Sequence, residues 1–151
     1  MKLSWLSPSP QPISNDELKH VGVVFDHINV HPDDYQPTLD HIKRERGYVH
    51  QDIVELTPET TGLTDLCDRF KDGHSHSDDE VRFVLTGSGI FDIRSHDDRW
   101  MRVEVEQGDL LIVPANLYHR FFLTPEQTIR CVRLFKSKAG WVPEYRPSIA
   151  N

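Results

Sequence analysis

His74-Ser75-His76-Ser77-Asp78-Asp79-Glu80-Val81-Arg82-Phe83-Val84-Leu85-Thr86-Gly87 is the stretch on which the reading of this chain turns. Side chains alternate faces along an extended strand. Extended backbone therefore puts His74, His76, Glu80 and Arg82 on one face and Val81, Phe83 and Leu85 on the other. The odd-numbered face is an ordinary core face. The even-numbered face has two readings: the solvated side of a half-buried sheet, or a set of metal ligands. His119, far downstream in Pro114-Ala115-Asn116-Leu117-Tyr118-His119, favours the second. Imidazoles plus one carboxylate, with coordination positions left open, suit a mononuclear redox metal better than a closed structural site.

Outward from this stretch, short β-like runs alternate with turn residues. The runs are 80–86, 90–94, 100–105, 110–113, 118–123 and 129–135. They are punctuated by Gly87-Ser88-Gly89, His96-Asp97-Asp98 and Gln107-Gly108-Asp109. Evenly spaced short strands predict an all-β barrel or double-sheet jelly roll, with its core over 73–135. The first half predicts its covering. Residues 1–13 form an extended arm rich in proline. A brief helix follows the Ser14-x-x-Glu17 capping box, and 21–25 is a short strand. Helices are expected over 37–46, stopped by Gly47, and over 58–70. The whole, residues 1–151, reads as a single domain.

Two charges stand out by position. His119 shares strand parity with Leu117, Phe121 and Leu123, and Arg133 shares it with Ile129, Cys131 and Phe135. A guanidinium on an apolar face is costly unless it is paired. Arg133 therefore meets a carboxylate or awaits an anionic ligand. His20, His27, His31, His41, His50 and His96 lie in polar, turn-like or helical stretches and are expected to play no part in metal binding.

The chain of 151 residues, 37% hydrophobic and 27% charged, has an ordinary globular composition, and its net charge of −7 attracts neither nucleic acid nor an anionic membrane. Cys67 and Cys131 are too far apart in sequence for a CxxC motif and suit two reduced thiols. With no visible secretory signal and no spanning apolar run, the expected location is the cytoplasm, extending to the nucleus in a eukaryotic cell.

His-x-His-x3-Glu-x6-Gly (His74, His76, Glu80, Gly87) and Gly-x5-Pro-x4-His (Gly108, Pro114, His119) are similar to the two motifs of the cupin superfamily. The flanks are narrower. Asp79-Glu80-Val81-Arg82-Phe83, Gly89-Ile90-Phe91-Asp92-Ile93-Arg94, Asp98-Arg99-Trp100, Tyr118-His119-Arg120-Phe121 and Arg133-Leu134-Phe135 resemble the acireductone dioxygenase family. Gly73 stands where that family commonly has glutamate, and Asn116 where cupins usually have glycine.

The resemblance implies a cupin double-stranded β-helix with a few short helices outside it. It implies one Fe2+ or Ni2+ per monomer on His74, His76, Glu80 and His119. It further implies that 1,2-dihydroxy-3-oxo-5-(methylthio)pentene binds as an anion and reacts with O2. Arg82 and Arg133 would stabilise its negative charge, and Phe70, Phe121 and Trp141 would wall its methylthio tail. In this family iron yields 4-methylthio-2-oxobutanoate and formate. Nickel yields 3-(methylthio)propanoate, formate and carbon monoxide. The expected protein is a monomer with no nucleic-acid or membrane partner. The competing readings are another cupin oxidase or oxalate-type enzyme, and a non-catalytic cupin that binds a metal or small ligand.

Overall fold

The computed structural model describes residues 1–6, 11–71, 73–75, 78–136 and 144–145; of 66, 68–70, 74–75 and 144–145 it describes the backbone alone. In chain order the elements are β1 (Lys2–Trp5), β2 (Gln11–Pro12), α1 (Asn15–His20), β3 (Val24–His27) and α2 (Pro32–Arg46). Then follow β4 (His50–Leu56), α3 (Leu63–Phe70), β5 (His74–Ser75), β6 (Glu80–Arg94) and β7 (Trp100–Glu106). The last are β8 (Asp109–Val113), β9 (His119–Leu123), β10 (Ile129–Phe135) and β11 (Glu144–Tyr145).

Strand β6 organises the barrel. Its first half pairs with β8 and β10, and the sheet extends to β3 on one side and β4 on the other. Its second half pairs with β7 and β9 in a sheet ordered β11-β5-β9-β6-β7-β1-β2. All these pairings are antiparallel, and the shared strand folds one half over the other, as a jelly roll requires. Sequence reading divides β6 at Gly87-Ser88-Gly89, yet the strand runs through. Gly87 has φ +80°, and a Cβ there would lie 2.1 Å from the Thr128 carbonyl oxygen. Only glycine lets the strand turn from one sheet to the other at that point.

Two apolar clusters result. Val84, Phe91, Ile93, Met101, Val103, Leu111, Val113, Ile129 and Cys131 fill the space between the half-sheets. Val81, Phe83, Leu85, Leu110, Ile112, Val132 and Leu134 face outward, against Tyr35 and Leu39 of α2. The predicted core face of β6 is thus the one under the helix, with the rings of Tyr35 and Phe83 5.1 Å apart.

Several boundaries differ from expectation. Helix α2 begins at Pro32, not Pro37: proline is tolerated at the first helical turn, and His31 caps it by accepting from the Asp33 amide. Gly47 ends it at φ +77° as expected. Residues 58–62 are turn and loop, so α3 is shorter than the expected 58–70, and the strand expected at 21–25 falls at Val24–His27. Ser14 is the N-cap of α1, but its side chain makes no capping bond. Strand β4 is not legible in the sequence: Ile53 is exposed while Asp52 shares its facing with Val54, which reverses the usual alternation at those two positions. Among the described residues no helix is long and apolar enough to cross a membrane.

Candidate metal centre

Strand parity carries Glu80 and Arg82 toward the barrel interior, since Val84, two residues on, belongs to the inner cluster. The second motif arrives by a tight reversal. Pro114 ends β8, Asn116 takes a left-handed φ of +66°, and the Leu117 amide donates to the Pro114 carbonyl. Asparagine tolerates that conformation better than most residues. The turn delivers His119 to the start of β9, 1% exposed and in register with Ile93 on one side and His74 on the other.

His119 Nδ1 donates to the Leu117 carbonyl at 2.9 Å. In the neutral ring that bond leaves the Nε2 lone pair as the ligating face. Nε2 is in contact with Glu80 Oε2. The other carboxylate oxygen, Oε1, accepts from Arg82 Nη2 at 2.8 Å, while Arg82 Nη1 donates to the Val81 carbonyl at 2.8 Å. Two electron-pair donors thus converge in a buried place. A lone pair and a carboxylate oxygen repel unless a proton or a cation lies between them. The donor set, one imidazole nitrogen and one carboxylate oxygen with His74 at the neighbouring register position, fits a divalent transition metal.

Next to it on the same wall, Asp52, Arg133 and Arg82 form one row across β4, β10 and β6. Asp52 accepts both arms of Arg133, from Nε at 2.8 Å and Nη2 at 2.6 Å. Of the two options for Arg133, a carboxylate partner is the one present. One row further in lies Cys131, whose burial pushes its thiol up to about 11, moderated by Arg82 and Arg133. Phe121, two residues from His119 on β9, packs on Phe91 with ring centroids 5.0 Å apart. It borders a cavity of about 460 Å³ that Leu63, Thr64 and Cys67 of α3 line from the far side. His76 and Trp141 lie outside the described residues, as do the side chains of His74 and Phe70.

Five of the six other histidines have side-chain contacts away from this place, His31 in the α2 cap and His41 beside Glu45 among them. His27 meets Asp109, His50 stacks on Phe135, and His96 reaches the His20 carbonyl. Sequence reading missed Asp52 and Asp79. Asp79 Oδ1 accepts from the Ala115 amide at 2.8 Å, and its other oxygen accepts from the Tyr48 hydroxyl. Burial and that carboxylate raise the Tyr48 hydroxyl above its ordinary range. Neither aspartate has a spacing signal, because both contacts join residues distant in sequence.

A twisted antiparallel jelly roll, with a carboxylate and a buried imidazole converging inside it, defines a metal-binding barrel of the cupin class. Within that class the ARD/ARD' family model matches residues 6–143, and the chain belongs to this family. An acireductone dioxygenase of Heterostelium pallidum is 44% identical over 93% of this chain and 94% of its own. One from Branchiostoma floridae is 39% identical over 95% of this chain and 80% of its own. Among solved structures, the acireductone dioxygenase from Bacillus anthracis with a cadmium ion in its active centre superposes with a TM-score of 0.87. It is 29% identical, covering 96% of this chain and 98% of that one.

Proposed function

We propose that the protein is a metal-dependent acireductone dioxygenase of methionine salvage, using Fe2+ or Ni2+. The observation that carries this reading is the meeting of His119 Nε2 with Glu80 Oε2 inside a barrel of the ARD/ARD' family. His74, His76, Glu80 and His119 would hold the ion. Once bound, it supplies the Lewis acidity and redox capacity for reaction of the enediolate with O2. The chain's own residues do the rest. The Leu117 carbonyl fixes the His119 tautomer, and Arg82 holds one oxygen of Glu80 so that the other points at the ligand position.

Arg82 also places a guanidinium on the inner face beside Glu80, where an anionic substrate needs a counter-charge. Arg133, in the same row, adds positive charge while Asp52 fixes its orientation. The family resemblance assigns Phe70, Phe121 and Trp141 to the methylthio tail, and of these Phe121 borders the cavity between β9 and α3. The reading includes a monomer acting on a small molecule in the cytoplasm, and the net charge of −7 disfavours nucleic-acid and anionic-membrane partners.

The test is oxygen uptake with acireductone by iron-loaded and nickel-loaded protein, followed by product analysis. The iron form should yield the keto acid and formate; the nickel form should release carbon monoxide. Uptake with oxalate but not acireductone would overturn the assignment. Arg82→Ala should keep stoichiometric metal and lose turnover about 100-fold or more, the scale of losing one charge-stabilising group. An unchanged rate removes Arg82 from the mechanism.

A further inference from the structure

We infer that Asp79 is a positioning residue that fixes the spacing between the two ligand motifs, with Tyr48 as its anchor; this rests on the metal-centre reading above. Asp79 immediately precedes the ligand Glu80, and the Ala115 amide it binds at 2.8 Å sits in the turn that delivers His119. One carboxylate thus ties the first motif to the second. Its other oxygen takes the Tyr48 hydroxyl, with Arg46 Nη1 at 3.5 Å. Tyr48 is 3% exposed and follows the glycine that ends α2, so the tie reaches the outer helix.

Asp78 adds a third point. It accepts the Asp79 amide at 2.8 Å on Oδ1 and the Lys136 amide, just beyond β10, at 3.0 Å on Oδ2. The backbone entering Glu80 is therefore held to the β8–β9 turn, to the end of β10 and to α2. Metal ligands must be held to about 0.5 Å for tight binding, and groups that orient ligands typically carry about 10- to 100-fold in affinity. Asp79 meets that requirement without touching the ion: it sets where Glu80 and His119 stand relative to each other.

The experiment is titration with Co2+ alone, followed by visible absorption and competition with a chelator. Melting of the metal-free protein is recorded in parallel. Asp79→Ala should weaken Co2+ about 10- to 100-fold and alter the absorption bands, which report coordination geometry. Asp79→Asn keeps an oxygen for the Ala115 amide and should restore affinity to within about threefold of the original residue. Tyr48→Phe, which removes the anchor only, should fall between them. It decides the matter if Asp79→Ala does not fold. Unchanged affinity and spectrum in Asp79→Ala, or in Tyr48→Phe where the alanine variant is lost, overturns the inference. Failure of the unsubstituted protein to bind Co2+ overturns the metal reading itself.

Discussion

Strand β6 carries a carboxylate in each of its halves, and the two are used in opposite ways. Asp92 lies on the outer face of the second half, wholly buried by its partners. Arg102 grips both of its oxygens at 2.8 and 3.0 Å, and Arg120 adds a third bond at 2.8 Å. The guanidinium groups of Arg94 and Arg120 lie over the Trp100 ring, 4.5 and 4.2 Å from its centroid. Glu80 lies in the barrel interior. One of its oxygens is held by Arg82 and the other faces an imidazole lone pair. Around Asp92 both oxygens are taken by guanidinium donors; at Glu80 one oxygen has the Arg82 guanidinium and the other meets His119 Nε2. The first arrangement is a salt-bridge lattice of the fold, and the second is the place proposed for the metal. The difference separates charge spent on folding from charge kept for chemistry.

The sharpest way to break this comparison is Glu80→Gln. The amide can donate a hydrogen to His119 Nε2 while its oxygen still accepts from Arg82, so the metal-free protein should melt no lower than the original. Stoichiometric metal and turnover should both be lost. Metal analysis and calorimetry check the two halves together. A large drop in melting temperature with metal retained would make Glu80 a structural group like Asp92.

Asp92→Ala should show the reverse. It leaves Arg102 and Arg120 without their shared acceptor; breaking a buried pair from one side costs about 3 kcal/mol here, at the low end because both guanidinium groups reach water. For a domain of this size that lowers melting by roughly 6–12 °C. Co2+ affinity of the folded protein should not change. A weaker metal site in this variant would mean that the outer lattice also shapes the inner one.

The same contrast explains what is legible in the sequence. The ligand spacing, the strand parity and the run of short strands are local patterns, and they suffice for the jelly roll and for bringing Glu80, Arg82 and His119 together. β10 at 129–135 is read at its true bounds because Ile129, Cys131, Val132, Leu134 and Phe135 give it an apolar run that the single inward Arg133 does not hide. β4 is not read, because a strand that turns Asp52 inward and Ile53 outward contradicts the alternation by which strands are recognised. Asp52 faces inward because Arg133 is across from it, a pairing made only when the sheet closes. Asp79 and Tyr48 escape for the same reason. Long-range polar contacts leave no period in the chain, and the site depends on several of them.

Asp52 and Arg133 stand between the two extremes. Their bidentate pair resembles Asp92 with Arg102, yet it sits in the same row as Arg82, on the inner wall. Asp52→Asn should cost only about 1 kcal/mol, since the carboxylate is partly exposed and the amide retains one acceptor. If Arg133 lends its charge to the substrate, loosening its orientation should raise KM severalfold while metal content and kcat hold. Steady-state kinetics on the metal-loaded variant reads that split directly. An unchanged KM would place the Asp52–Arg133 pair with the outer lattice, as a fold-holding contact, and leave Arg82 as the inner wall's cation for the substrate.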